Sequence, residues 1–423
     1  MKKILLVFIA LLFVQGKLSA QLAEDSEKFL GCILKHTKLS DSDFDLYFNQ
    51  VTPENSGKWG KVESERDVMD WSYLDYIYNY AKEKGFPFKQ HAFIWDLEQP
   101  EWISELSQEE QREEVEEWIQ AFCERYPDVD MIEPVNEATR NPAPYKEALG
   151  GEGDTGYDWV INGFEMARQY APDATLILND YDVLKSGHVR DKVIDIANLL
   201  DDRDLVDAIG CQAHFLEGKS AEQIQDALDQ LAATGLDIYI TELDIHIADD
   251  QEQLIKYKEI FPAIWQHPAV KGVTLWGYKE GTMWRDDGYL LRDDGSERPA
   301  MTWVKEFFDG KFQSPYQEHD IPGKIEAENF DEGGQYYGYY DQTSGNSGNS
   351  SYRSDQEHVD INTTDDEGDG HAVVNIEDGE WLHYTINQVD AGTSDVKFRI
   401  SNGSTSDDQA IKVLLNKNPL CTV

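Results

Sequence analysis

Two glutamates stand where chemistry is easiest to place. Glu137 follows the apolar run 131–136 in Val135-Asn136-Glu137-Ala138, and Glu242 closes Tyr239-Ile240-Thr241-Glu242-Leu243-Asp244. Two carboxyl groups facing across a cleft are the apparatus for hydrolysing a glycosidic bond: one protonates the leaving oxygen, the other attacks the sugar carbon or activates water. The ends of the neighbouring runs carry what a neutral sugar needs: His91 and Trp95, Asn136, Asn179 and Asp180, Gln212 and His214, and Trp276. Amides and imidazoles serve hydroxyls, and indoles cover the apolar faces of the ring. No glycine-rich phosphate loop and no serine nucleophile elbow is present, so phosphate-cofactor and acyl-transfer chemistry lose ground.

These residues need strands to hold them. Apolar runs recur at 29–34, 48–52, 88–95, 131–136, 175–179, 206–212, 236–241 and 273–276, separated by helix-periodic stretches at 73–84, 109–126, 159–170, 189–200 and 221–234. Near-continuous apolar strands alternating with amphipathic helices argue for a parallel sheet covered by helices. Eight such runs match the count that closes an α/β (β/α)8 TIM barrel, spanning 21–312, in which the active site lies at the carboxyl ends of the strands. A doubly wound open sheet is the alternative from the pattern alone.

Composition narrows the partners. The chain has 37 Lys plus Arg against 82 Asp plus Glu, a formal charge of −45, with 40% hydrophobic residues. That field disfavours nucleic acid and anionic membranes, and a neutral substrate suits it best. Lys2 and Lys3, an apolar run at 4–14 and Leu18-Ser19-Ala20 read as a cleaved signal peptide over 1–20, implying a secreted or periplasmic protein without membrane insertion. Cys32, Cys123, Cys211 and Cys421 lack zinc spacing and are expected as buried thiols, although export permits a disulfide. After residue 312 the helical period stops. Residues 313–322, bracketed by Pro315 and Pro322, read as a linker, and alternating strands at 381–386, 395–400 and 410–415 predict an all-β sandwich over 323–423.

Seven motifs then stand in order: Thr52-Pro53-Glu54-Asn55 with Lys58-Trp59, His91 to Trp95, Pro134 to Ala138, Asn179-Asp180-Tyr181, Gln212-Ala213-His214, Ile240 to Asp244, and Trp276-Gly277. Over 24–312 the chain resembles glycoside hydrolase family 10, the retaining endo-β-1,4-xylanases. The resemblance implies Glu137 as general acid/base and Glu242 as nucleophile, with His214 partnering Glu242 and Asp244 nearby. It implies that Asn136 holds the sugar 2-hydroxyl and that Asn179 belongs to the same substrate-binding set. It places His91, Trp95, Gln212, Trp276 and Trp284 around the cleaved-bond subsite, and Glu54, Asn55 and Lys58 at the next subsite toward the non-reducing end. Where the family carries His-Ser-Gln, this chain has Asp96-Leu97-Glu98, so Glu98 replaces a glutamine that contacts the distal sugar. Decorated xylan or mixed-linkage β-glucan is the substrate alternative, and a non-catalytic polysaccharide-binding protein the functional one.

The C-terminal module resembles carbohydrate-binding module family 6, through Ile325-Glu326-Ala327-Glu328-Asn329-Phe330, Tyr352-Arg353-Ser354 and Gly379 to Tyr384. The resemblance implies that Tyr352 and Trp381 sandwich a sugar, that Glu326 and Glu328 lie near a structural calcium, and that the module is incomplete at its C-terminus. No cofactor is expected for catalysis. The expected partner is xylan or a related plant or algal β-glycan, bound by a monomer.

Overall fold

The computed structural model describes residues 3–11, 21–24, 26–35, 43–343, 345–353, 358–365, 370–377, 379–389, 395–401, 409–415 and 418–422. The chain divides into two compact units, one of residues 19–24 and 28–304, the other of 1–18, 25–27 and 305–423.

The first unit is a parallel barrel of β1 (Phe29–Leu34), β2 (Gln50–Pro53), β3 (Lys89–Ile94), β4 (Met131–Val135), β5 (Thr175–Asp180), β6 (Ala208–Cys211), β7 (Asp237–Leu243) and β8 (Val270–Leu275). The hydrogen-bonded order is β2-β1-β8-β7-β6-β5-β4-β3, and the ring closes through a parallel bridge between Val51 and Phe88. Every strand overlaps a run read from the sequence. All five expected helices form, as Ser72–Lys84, Gln108–Arg125, Asp158–Tyr170, Gly187–Asp201 and Ala221–Ala232. Ser107 with Glu110, and Ser220 with Gln223, build reciprocal capping boxes that fix where two of these helices begin.

Besides the short Phe44–Tyr47 and Trp59–Val62, two longer helices escaped the periodicity reading, Asp250–Gln266 and Pro299–Phe308. In the first, Pro262 inside the helix reads in sequence as a break, whereas Asp249 caps its start through Gln251 N–H at 2.9 Å and Glu252 N–H at 3.0 Å. Arg298, fully buried, ties this region together: Nε meets Asp250 Oδ1 at 2.7 Å, Nη2 meets the Ile247 carbonyl at 2.8 Å and Nη1 the Asp287 carbonyl at 2.9 Å. That staple holds the loops after β7 and β8. Cys32, Cys123 and Cys211 are buried free thiols; the side chain of Cys421 lies outside the described set.

The second unit is all-β. One sheet runs His319–Ile321, Trp381–Val389, Lys3–Leu11, Gln409–Leu415, Asn418–Thr422, with Tyr339–Tyr340 also on Trp381–Val389. A second sheet pairs Ile361–Thr363 with His371–Val373. Phe330, Tyr339, Val359, Ile361, Leu382 and Tyr384 form one buried cluster drawn from both sheets. Three sequence readings look different here. Residues 395–400 carry no strand. The segment read as a linker contains the strand His319–Ile321, and Ser314 bridges Glu332. Part of the segment read as a signal peptide, Lys3–Leu11, is a strand paired in parallel on both sides, while residues 12–20 lie outside the described set. Among the described residues no helix is long and apolar enough to cross a membrane.

Candidate active site

β4 and β7 bring their carboxylates to one amide network. Asn136 and Glu137 follow β4 directly, and Glu137 is held at φ 59°, a left-handed conformation that turns it out of the strand. Its backbone N–H bonds the Asn179 carbonyl at 3.0 Å. Gln212 Nε2 donates to Glu137 Oε1 at 3.0 Å and to Asn136 Oδ1 at 3.3 Å. Asn179 Nδ2 donates to the same Asn136 oxygen at 3.0 Å and to Glu242 Oε1 at 3.0 Å. The two acids are therefore joined through Gln212, Asn136 and Asn179. They converge.

Their surroundings differ. Glu137 is partly exposed, and its hydrogen-bond partners are amides, including Asn141 Nδ2 at 2.8 Å. Glu242 is 4% exposed, with His214 Nε2 at 3.2 Å and His91 Nδ1 at 3.9 Å. Burial pushes the Glu242 carboxyl up, but His91, His214 and Lys89 together hold it well below the usual carboxylate range. Burial also works against charge on His214, yet Asp244 and Glu242 raise it to about 9. Its other nitrogen lies 2.9 Å from Asp244 Oδ2, and His246 Nε2 lies 3.0 Å from the same oxygen. Asp244 is held near 2, since these two histidines outweigh its burial. Glu242 thus stays ionised against a cationic imidazole.

Beneath Glu242 lies a buried ionic layer that sequence reading missed. Lys89 Nζ pairs with Glu133 Oε1 at 2.5 Å, and Glu133 Oε2 meets His91 Nδ1 at 2.5 Å and Asn179 Nδ2 at 3.3 Å. The visible signal is register: His91 and Glu133 are opposite one another on β3 and β4. A lysine two positions before His91 points to the same barrel interior. His91, Glu133 and Glu242 lie close enough together to hold a metal ion; here Lys89 already supplies their positive charge. Thr241, whose Oγ1 donates to Asn179 Oδ1 at 2.6 Å, and His246 were also missed.

The remaining candidates line the cleft. Glu54 is buried and paired with Lys35 at 2.8 Å. Lys58, buried beside it, sits 4.4 Å from the Trp95 ring centre, and desolvation lowers its pKa despite the surrounding acids. Asn55 is exposed; its carbonyl accepts the Lys58 N–H at 3.1 Å. Glu98 is exposed at φ 59° and pairs with Lys61 at 2.9 Å. Trp276 is buried edge-on to His91 at 5.0 Å. Trp284 is 46% exposed, its Nε1 bonded to Asp244 Oδ2 and its ring 4.9 Å from His214.

Residues 18–307 match the model of Glycosyl hydrolase family 10. The chain belongs to this family. It is 42% identical over 282 residues to endo-1,4-beta-xylanase B of Cellvibrio japonicus, which covers 66% of this chain and 45% of that protein, so the chain spans less than half of that relative's length. It is 28% identical over 270 residues to endo-1,4-beta-xylanase A of Caldicellulosiruptor saccharolyticus, covering 57% of this chain and 78% of that one. The structure of native xylanase 10B from Thermotoga maritima superposes with a TM-score of 0.62 at 26% identity, covering 70% of this chain and 99% of that one. As a family 10 glycosyl hydrolase, the chain carries Glu137, Glu242 and the amides that join them at the carboxyl ends of its barrel strands.

The C-terminal reading needs correction. Residues 355–423 match a carbohydrate binding module of family 35, not family 6. The expected sugar sandwich is also not open here: Trp381 is 3% exposed at the start of its strand, and Tyr352 stacks on His371 at 4.4 Å while its hydroxyl donates to Asn329 Oδ1 at 2.6 Å. Trp381 stands opposite Leu6 in the parallel pairing with Lys3–Leu11, and an aromatic in an alternating strand serves a core as readily as a sugar. Glu328 is buried, and Glu326 pairs with Lys324.

Proposed function

We propose that this family 10 hydrolase is a secreted retaining endo-β-1,4-xylanase in which Glu242 attacks the anomeric carbon and Glu137 acts as general acid, then base. The asymmetry of the two carboxylates carries the reading. The nucleophile must be ionised, and Glu242 sits against His214, His91 and Lys89. The acid must be able to hold a proton beside the leaving oxygen, and Glu137 faces neutral amides at the more open edge. Asn136, fixed by Asn179 and Gln212, bonds the 2-hydroxyl on this reading as positive charge develops on the ring. Lys58, Glu54 and Asn55 offer a charged and polar surface for the next sugar. Decorated xylan is a second reading, supported by the exposed Glu98–Lys61 pair at the distal end of that surface.

On this reading residues 1–20 direct export and are removed, the enzyme acts as a monomer, and Glu326 and Glu328 contribute to a calcium site that a calcium-dependent rise in Tm would reveal. Release of reducing ends from linear xylan tests the activity. Glu242→Gln should abolish it on every substrate. Glu137→Gln should abolish it on xylan while sparing the first step on an aryl xyloside whose leaving group needs no proton. Proton NMR of the first product should show the β anomer. Wild-type rates in either glutamine variant would end the assignment.

A further inference from the structure

Glu137 meets its surroundings through two oxygens with unlike partners. Gln212 Nε2 serves Oε1 at 3.0 Å and also Asn136 Oδ1 at 3.3 Å. Asn136 Oδ1 already takes Asn179 Nδ2 at 3.0 Å, so it acts as an acceptor toward Gln212 as well. Turning the Gln212 amide over would set its oxygen against two others. Gln212 is therefore a fixed donor, and Oε1 stays free of the acid proton.

Oε2 is different. Its hydrogen-bond partner among the described residues is Asn141, whose Nδ2 donates at 2.8 Å. Sequence reading passed over this residue, which sits in a loop four positions past the acid. The loop is built to hold it there. Asn141 N–H bonds the Glu137 carbonyl at 3.1 Å, closing one turn that brings the amide to the carboxylate. Thr139 N–H bonds Asp180 Oδ2 at 2.9 Å. Arg140 Nη2 bonds Asp182 Oδ2 at 2.7 Å, and its guanidinium lies 4.0 Å from the Tyr181 ring centre. The one cation of this turn is thus engaged on the loop after β5 rather than on Glu137.

Other charged and titratable groups stand around the acid: Lys58 after β2, Asp96 after β3, Asp180 and Tyr181 at the end of β5, and Glu242 through the amide network. None of them bonds either Glu137 oxygen. A cation at position 141 would strip the proton from the acid, and an anion would keep it from leaving. An uncharged amide does neither. Glu137 can then give its proton to the leaving oxygen as the glycosidic bond breaks, and take one back from the attacking water.

We infer that Asn141 is a positioning residue for the acid/base step: it fixes the proton of Glu137 on Oε2 and sets how far toward alkaline pH that step survives. The inference rests on the proposed xylanase reading and adds to it the regulation of its acid by a neighbouring amide.

The test follows kcat/KM against pH on two substrates. An unsubstituted xylo-oligosaccharide needs the proton from Glu137, whereas an aryl xyloside with a good leaving group does not. Asn141→Asp, which sets a carboxylate against Oε2, should move the alkaline limb on the oligosaccharide up by about one pH unit. Asn141→Leu, which removes a donor to the charged form, should move it the same way by about half a unit. On the aryl xyloside the alkaline limb should stay where it is in both variants. An oligosaccharide limb unmoved in both variants overturns the inference, whatever either does to Tm or to the plateau rate. So does a limb that shifts equally on both substrates, since a group other than the acid would then have changed. Glu137→Gln is the control on the oligosaccharide. Wild-type rates there would overturn the xylanase reading itself, whereas an inactive control with unmoved limbs removes Asn141 alone.

Discussion

Lys89 and Glu133 form an ion pair at 2.5 Å inside the barrel, their side chains 1% and 0% exposed. Such a pair costs much desolvation, and its partners are strongly destabilised when either is left alone. Here the pair also reaches the proposed nucleophile at one remove, because Glu133 holds His91 and bonds Asn179, and both reach Glu242.

Glu133→Gln should therefore cost about 3–5 kcal/mol in urea unfolding by stranding Lys89. Lys89→Met combined with Glu133→Leu should cost clearly less than the sum of the single changes. Additive losses would show that the two groups act independently.

The charge on His214 sets a pH window. Its folded pKa near 9 exceeds its ordinary 6.5, so its contribution is complete below 6.5 and is lost as pH rises through 9. Glu242 and Asp244 are depressed from 4.5 and 3.8 to near 2, so theirs is complete above those ordinary values and lost as pH falls through 2. Stability from this cluster should be flat between about 4.5 and 6.5 and fall on both sides. His214→Gln should flatten the alkaline fall in Tm, lower kcat/KM by about ten- to a hundredfold, and move the acid limb of the rate profile toward neutral pH. An unmoved acid limb would remove His214 from the ionisation of Glu242.

Much of this site was legible before any coordinates because a barrel puts its chemistry at one set of strand ends. Glu137 and Glu242, placed by where their apolar runs stop, share a network whose amides were also named from sequence. Lys89 and Glu133 were missed for a physical reason: charges alternating with apolar residues in a strand read as a solvated face, whereas in a closed barrel that face is the packed interior. His246 and Arg298 sit in loops without period, where nothing local predicts a partner on another loop. Trp381 shows the converse limit, since residue type does not separate a core ring from a sugar platform.

Asp180 gives a second test of pH coupling. Burial raises its carboxyl to about 7, against hydrogen bonds from the Thr139 and Tyr181 N–H groups. A raised acid favours folding below its ordinary 3.8 and loses that contribution as pH climbs through 7. Asp180→Asn should match wild type below about pH 3.8, where the carboxyl is protonated in both the folded and the unfolded chain. It should gain on wild type by about 1.4 kcal/mol per pH unit between 3.8 and 7 and keep a constant advantage above 7. A difference in Tm that stays constant from about pH 4 to 7 would show that Asp180 is ionised throughout that range.

Gly210 on β6 is where backbone sequence meets catalytic geometry. A Cβ there would stand 2.6 Å from Asn179 Oδ1 and 2.9 Å from Ile177 Cγ2, closer than real contacts allow. The glycine leaves room for Asn179, whose Oδ1 takes the Thr241 hydroxyl and whose Nδ2 bonds Glu242 and Asn136. Gly210→Ala should cost about 1–3 kcal/mol of stability through overpacking. It should also cost about ten- to a hundredfold in kcat, as the hydrogen bond to the ionised Glu242 is displaced. The catalytic loss separates from the structural one in a cycle with Asn179→Ser. In that background the crowded amide is gone, so adding Gly210→Ala should lower kcat little further. A full additional loss would mean that Gly210 acts through the strand itself rather than through Asn179.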